Sequence, residues 1–193
     1  MRSTLVILTS LMLANIALAS THDQFTGMPA AYDEELSAQI QAFLDQYAAA
    51  YNRQDYETLL SMWDRDYPYP VYMAEEVDPP MHGWQRIQGY FNPKPGFTVL
   101  DGIRNAYSDV RANYLSADVA IATYKLRFDI KVKRQKAISS WDRVMAVLRK
   151  KDGEWKMLAY AEAPMAPLTM VRKMLQEAVP DDFDAYMQEQ RAK

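Results

Sequence analysis

The sequence predicts one segregated α+β domain, with helices first and a long antiparallel meander afterwards. Three observations point there. Apolar residues recur at helical spacing as far as Phe91, they alternate at period two from Phe97 onward, and the last two alternating stretches flank Asp152-Gly153. Helices set apart from strands, rather than interleaved with them, mark an α+β architecture and not βαβ winding.

The chain opens on Met1-Arg2, a short positive segment, followed by a nearly unbroken apolar run from Leu5 to Leu18. Ala17-Leu18-Ala19 supplies the small-x-small pattern that signal peptidase accepts, so residues 1–19 read as an export signal cleaved after Ala19. A retained membrane anchor is the competing reading. The run is shorter than the ~20 residues of a spanning helix, polar Thr21-His22-Asp23-Gln24 follows directly, and no later segment approaches spanning length. A periplasmic or secreted protein, with no integral membrane span after processing, is the expectation.

Residues 20–33, around Thr26-Gly27-Met28-Pro29, read as a flexible lead into a domain over residues 34–164. Glu34 to Asn52 is the first helix, with Leu36, Ile40, Phe43, Leu44, Tyr47 and Tyr51 on one stripe. Asp55 can cap a second helix whose buried face holds Leu59, Leu60 and Trp63. Pro68 and Pro70 lack backbone donors, which leaves Val71 to Ala74 as an edge strand. Trp84 to Phe91 forms a third helix after Gly83, stopped by Asn92-Pro93-Lys94-Pro95-Gly96. Strands are expected over Asn105–Leu115, Asp118–Val132, Ser139–Arg149 and Glu154–Ala163. Asp152-Gly153 suits a type I′ turn, in which both central residues need positive φ. After Pro167 the apolar spacing is helical again to Val179, and Asp181 or Asp182 can cap a last helix. Residues 165–193 thus form a helical extension, suited to capping a pocket mouth or extending a dimer contact.

Composition narrows the function. There is no cysteine, so disulfides, a thiolate nucleophile and cysteine-bound metal are excluded. The net charge of −3 argues against a nucleic-acid partner. The basic run Lys125, Arg127, Lys131, Lys133, Arg134 and Lys136 reads as a solvated strand face and turn. Thirteen Tyr, six Phe and four Trp suit either an aromatic-lined pocket or ordinary packing.

The order of elements resembles the NTF2-like superfamily, which includes SnoaL-like proteins and ketosteroid isomerase. The resemblance rests on Tyr51-Asn52-Arg53-Gln54-Asp55 closing the first helix, Leu59 to Trp63, and the Gly83-x-x-x-Ile87-x-x-Tyr90-Phe91 helix. The hairpin from Arg143 to Trp155 completes it. It implies a cone-shaped curved sheet over the N-terminal helices, a pocket between them, and a homodimer through the sheet, which the Ala159-Ala161 face suits. It fixes no chemistry, because the fold hosts many functions. Alignment on the isomerase implies Tyr47 as an oxyanion tyrosine and a base near Ala74, with Glu75 or Glu76 close by. It puts Met145 where the isomerase holds a protonated aspartate, so steroid isomerisation by that arrangement is not expected. Dehydratases of this fold use a histidine base. His82 is the one histidine in the domain, and a loop histidine also reads as exposed or capping. The histidines that many SnoaL-like chains carry on the last strand are replaced by Ala159-Tyr160-Ala161-Glu162-Ala163. No metal-ligand spacing is recognisable, and no cofactor is expected.

A two-residue Asp152-Gly153 turn would pair Lys151 with Glu154, Val147 with Leu158, Met145 with Tyr160, and Arg143 with Glu162 on one face. The resemblance makes that face the pocket lining. Arg143 would then bind an anionic oxygen, with Glu162 orienting it or acting as acid or base beside Tyr47. A plain cross-strand ion pair, contributing about 0.2–1 kcal/mol when exposed, is the competing reading, and a one-residue slip would send both side chains to the other face. Trp63, Tyr72, Glu75, His82, Tyr124, Met145 and Tyr160 are the candidate substrate-binding residues. Asp142 and Trp141, at a strand start, carry no assignment. The expected function is binding of a small apolar or aromatic molecule, with cofactor-independent isomerase, dehydratase or lyase chemistry. A non-catalytic ligand-binding or assembly module of the cell envelope is the alternative.

Overall fold

Asp33 caps helix α1 (Glu34–Asn52), its carboxylate accepting the Leu36 N–H at 2.8 Å. The computed structural model describes residues 32–92, 100–165 and 180–192, all within the unit Tyr32–Lys193. The expected leader, most of the lead segment and the helix expected after Pro167 lie outside the described residues. Asp55 caps α2 (Tyr56–Ser61) in the same way, through the Thr58 N–H at 3.1 Å. Strands β1 (Val71–Met73) and β2 (Met81–His82) precede α3 (Trp84–Phe91). The meander follows: β3 (Leu100–Tyr114), β4 (Val119–Val132), β5 (Ile138–Lys151) and β6 (Glu154–Pro164), then α4 (Phe183–Arg191).

The six strands form one curved, unclosed sheet in the order β2-β1-β6-β5-β4-β3, antiparallel except where β1 runs parallel to β6. This is the α+β fold that the sequence predicts. Val71–Met73 is not an edge strand, however: β2 pairs with its other side and forms the edge. The register of β3 shifts between Leu100 and Gly102 and again between Ser108 and Arg111, where Asp109 has φ 55°. Such bulges increase strand twist and bend the sheet. Its concave face packs on α1, which is tied to β3 by side chains that satisfy strand backbone. Asn52 Nδ2 donates to the Asn105 carbonyl at 3.1 Å, and Asn52 Oδ1 accepts the Asn105 N–H at 2.6 Å. Gln41 Nε2 donates to the Tyr107 carbonyl at 3.2 Å, and Ser37 Oγ accepts the Ala112 N–H at 2.9 Å.

The β5–β6 hairpin decides the site. Asp152 and Gly153 both have positive φ, 52° and 86°, as a type I′ turn requires. Lys151 faces Glu154 as predicted, and Leu148 faces Met157, but Val147 faces Ala159. Leu158 is the extra residue of a β-bulge. The Met157 backbone also bonds across its other edge, donating to the Met62 carbonyl at 2.9 Å and accepting the Asp64 N–H at 3.0 Å. From the bulge outward the partners are displaced by one: Met145 faces Ala161, Val144 faces Glu162, and Arg143 faces Ala163. The predicted pairs Arg143–Glu162 and Met145–Tyr160 therefore do not form.

Helix α4 closes the other end of the sheet. Phe183 and Met187 are buried, and the Arg104 guanidinium lies 5.1 Å from the ring centres of both Phe183 and Tyr186. Met187 sits where a side chain on Gly102 would point, so that glycine is what lets the helix approach β3. Asp182 precedes α4 but makes no cap bond; its carboxylate accepts from Arg104 at 3.4 Å instead. Arg104 and Arg127 both grip buried Asp129 at 2.8 and 2.9 Å, so Arg127 of the basic run belongs to an ion-pair network rather than to a purely solvated face.

Candidate functional site

Period two puts Asp142, Val144, Ala146 and Leu148 of β5 on the concave face, all buried. The bulge brings Tyr160 and Glu162 of β6 to the same face, opposite Ala146 and Val144. Tyr124 of β4 lies opposite Val144, and Leu126 lies opposite Asp142. Tyr72 of β1 pairs with Tyr160, their rings stacked at 4.9 Å and 4°. Beneath them, Tyr47 of α1 lies 6.5 Å from the Tyr160 ring, and its hydroxyl accepts the Trp63 indole N–H at 3.3 Å.

These rings fill the cone. Tyr47, Tyr160, Trp63 and Tyr72 are 0, 1, 1 and 2 % exposed, which leaves no water-sized space against them. Burial pushes the phenols of Tyr47, Tyr72, Tyr107, Tyr124 and Tyr160 well above their usual range, so each is a neutral hydroxyl. The Tyr124 hydroxyl is buried without a hydrogen-bond partner.

Polar chemistry gathers beside these rings, on β5, β6 and the β1–β2 connection. Glu162 accepts the Glu75 N–H at 3.0 Å and the Tyr72 O–H at 3.4 Å. Burial pushes its carboxyl up to about 7; the Glu75 N–H opposes this, and the charges of Asp142 and Glu76 add to it. Asp142 is also pushed up to about 7, by burial first and then by the charge of Glu75 beside it. Glu75 is itself raised by burial. Glu76, at the rim, accepts the Tyr90 O–H at 2.6 Å.

Asp142 is set apart by what it lacks. The buried aspartates Asp64 and Asp129 are both paired with arginine, Asp64 with Arg149 at 2.9 Å and Asp129 as above. Asp142 is 1 % exposed; no N–H or hydroxyl among the described residues donates to its carboxyl oxygens, and its hydrogen-bond contact is the neighbouring carboxyl of Glu75. An unpaired buried carboxyl is costly, and such groups cluster at functional sites.

Of the residues singled out in the sequence, Tyr72, Glu75, Tyr124, Tyr160 and Glu162 converge here. Tyr47 and Trp63 lie below, within the packed rings. Arg143 and Met145 do not belong to the site: the bulge at Leu158 leaves them on the outer face. Arg143 is exposed there and donates to the Pro164 carbonyl at 3.1 Å, and Met145 is 49 % exposed. His82 is exposed on the edge strand opposite Val71, away from the carboxyls. Asp142, Glu76 and Tyr90 join instead. Asp142 had one legible signal, as the sole charge in the row Asp142, Val144, Ala146, Leu148.

Two hollows lie elsewhere. One of about 80 Å³ sits between the end of α1 and α4, and one of about 350 Å³ is lined by Arg104, Ala106, Arg127, Asp129, Pro180 and Asp182. Their size does not make them the better candidates: in the larger one the charges already pair with one another. Among the described residues no group of carboxylates and imidazoles gathers as metal ligands, and no helix is long and apolar enough to cross a membrane.

Comparison with known proteins agrees with this fold. A family described as the SnoaL-like domain matches residues 40–167. Among solved structures, a candidate scytalone dehydratase from Novosphingobium aromaticivorans is similar over 67 % of this chain and 83 % of its own, at 13 % identity and a TM-score of 0.58. A candidate calcium/calmodulin-dependent protein kinase II association domain from Xanthomonas campestris matches over 74 % and 94 %, at 18 % identity and a TM-score of 0.57. A ketosteroid isomerase-like protein from Erwinia carotovora atroseptica matches over 70 % and 100 %, at 21 % identity and a TM-score of 0.54. No curated protein matches the sequence. At these identities the likeness concerns the fold.

Proposed function

The chain belongs to the SnoaL-like domain family, with the NTF2-like fold, and from that premise we propose that it binds a small molecule at the open end of its cone and moves protons there without a cofactor. One observation carries this reading: Asp142 and Glu162, diagonal neighbours on the concave face, are both pushed up to about 7. Carboxyls at that value exchange protons close to neutral pH, where general acid and base catalysis is most effective. In a dehydratase- or isomerase-type reaction, ionised Glu162 takes a proton from carbon beside a carbonyl. Protonated Asp142 then donates to the oxygen on which charge develops. Tyr72 holds Glu162 in place through its hydroxyl.

A second reading has its own support. The cone is filled by aromatic rings, which suits a binding or assembly module of the cell envelope with no turnover; one structural relative is an association-domain candidate. Proton exchange separates the two. In deuterated buffer at pH 7, aryl ketones, β-hydroxy ketones and conjugated enones are followed by proton NMR. Under the catalytic reading at least one loses its α-proton faster with protein, and Glu162→Gln slows this about 10²–10⁴-fold. Exchange at the buffer rate for the whole panel favours the assembly module. We also propose export, with cleavage after Ala19; sequencing the mature protein from the periplasm or medium should read from Ser20.

A further inference from the structure

We propose that the open end of the cone recognises an organic cation, an ammonium or amidinium group on an aromatic or apolar body, with Asp142 and Glu162 as its counter-charges. The inference rests on the site described above and names the class of molecule it takes. Among the described residues, the titratable groups facing that site are acidic or phenolic from every element packed around it. The β1–β2 connection supplies Glu75 and Glu76, β5 supplies Asp142, and β6 supplies Glu162. Tyr51 of α1, Tyr72 of β1, Tyr90 of α3 and Tyr124 of β4 surround them. Among the described residues, Arg143 is the basic group that bears on Asp142, as the smallest of the influences on it and from the outer face. None of the four carboxyls closes an ion pair with a described residue, whereas buried Asp64 and Asp129 both do.

The second observation is a buried carboxyl without a counter-charge. Asp142 is 1 % exposed and meets no N–H or hydroxyl donor among the described residues, only the carboxyl of Glu75, so once these acids ionise the site lacks donors rather than acceptors. An ammonium brings three donors and no acceptor, and an amidinium offers a planar pair that fits a carboxylate. An anion would face a like-charged cluster. Tyr90, at the rim beside Glu76, adds an aromatic face of the kind that attracts cations. Among the described residues no metal-ligating group forms, which favours an organic over an inorganic cation.

The test uses the full chain and three probes of one shape: benzylammonium, benzyl alcohol and benzoate, titrated calorimetrically at pH 6 and pH 8. Benzylammonium should bind about tenfold or more tightly than benzyl alcohol at pH 8. Because it binds ionised carboxyls that titrate at about 7, its affinity should fall about tenfold at pH 6 and its binding should release protons. Asp142→Asn and Glu162→Gln, near-isosteric changes checked by melting temperature in the same buffers, should each weaken it about tenfold and flatten the pH dependence. Benzyl alcohol binding equally well, or benzoate binding better, overturns the cation and leaves the small-molecule site standing. If no probe shifts the NMR signals of Tyr72, Asp142 or Glu162, both readings fall.

Discussion

Asp142→Asn should make the protein more stable at pH 8, by about 2–4 kcal/mol. A carboxyl that binds its proton more tightly folded than unfolded stabilises the fold only while protonated. For Asp142, pushed up to about 7 by burial and by Glu75, stability therefore falls as pH climbs from about 4 to about 7 and stays low beyond. Asparagine removes that loss, because it has nothing to ionise. The advantage of the variant should shrink as pH falls through 7 and vanish below about pH 4. Asparagine also keeps an amide donor for the neighbouring Glu75 carboxyl, with which Asp142 shares its hydrogen bond. Thermal melts from pH 4 to pH 9 check this; a variant that is less stable at every pH would show Asp142 to be a structural partner. A group that costs stability where the protein works is what a functional site retains.

Tyr160→Ala should cost about 3–5 kcal/mol, the range of large-to-small aromatic truncations in a packed core. The Tyr160 ring is 1 % exposed, stacks on Tyr72 at 4.9 Å, and lies within 6.5 Å of the Tyr47 and Tyr124 rings. Tyr160→Phe keeps that packing and should cost about 1 kcal/mol or less. Urea unfolding of the two variants separates ring from hydroxyl. The alanine variant should also gain a dry cavity that benzene-sized molecules stabilise. A loss below 1 kcal/mol for Tyr160→Ala would show that the cone is not filled by its aromatic side chains.

What the sequence made legible was what local chemistry encodes. The stripe of α1, the alternation of β4 and the two caps at Asp33 and Asp55 depend on spacing and on side chains bonding a few residues away. The Asp152-Gly153 turn depends on backbone freedom at two positions, and both adopt positive φ. Leu158 was not legible in this way. Its bulge accompanies pairing of Met157 with Met62 and Asp64, nearly a hundred residues away, and no periodicity in β6 announces it. That one residue moved Glu162 opposite Val144 and left Arg143 outside, so the predicted counter-charge disappeared while its acid remained. The same displacement puts Glu162 on the face of Asp142, a residue to which the sequence attaches no role. The charge of the candidate site is reversed as a result: where the sequence pairs an arginine with Glu162, the described residues gather acids. β3 begins at Leu100 rather than Asn105 because cross-strand partners on β4, not alternation, hold its first residues.

The account turns on two carboxyls that hold their protons up to neutrality beside the aromatic rings of the concave face. Carboxyl ¹³C NMR of protein labelled at Asp and Glu, titrated from pH 3 to pH 9, measures this directly. Two resonances should titrate near 7, one lost in Asp142→Asn and the other in Glu162→Gln, with partner shifts showing their coupling. If every carboxyl titrates between about 3 and 5, as in solvent-exposed acids, the two groups are ordinary surface charges and the proposed chemistry is contradicted.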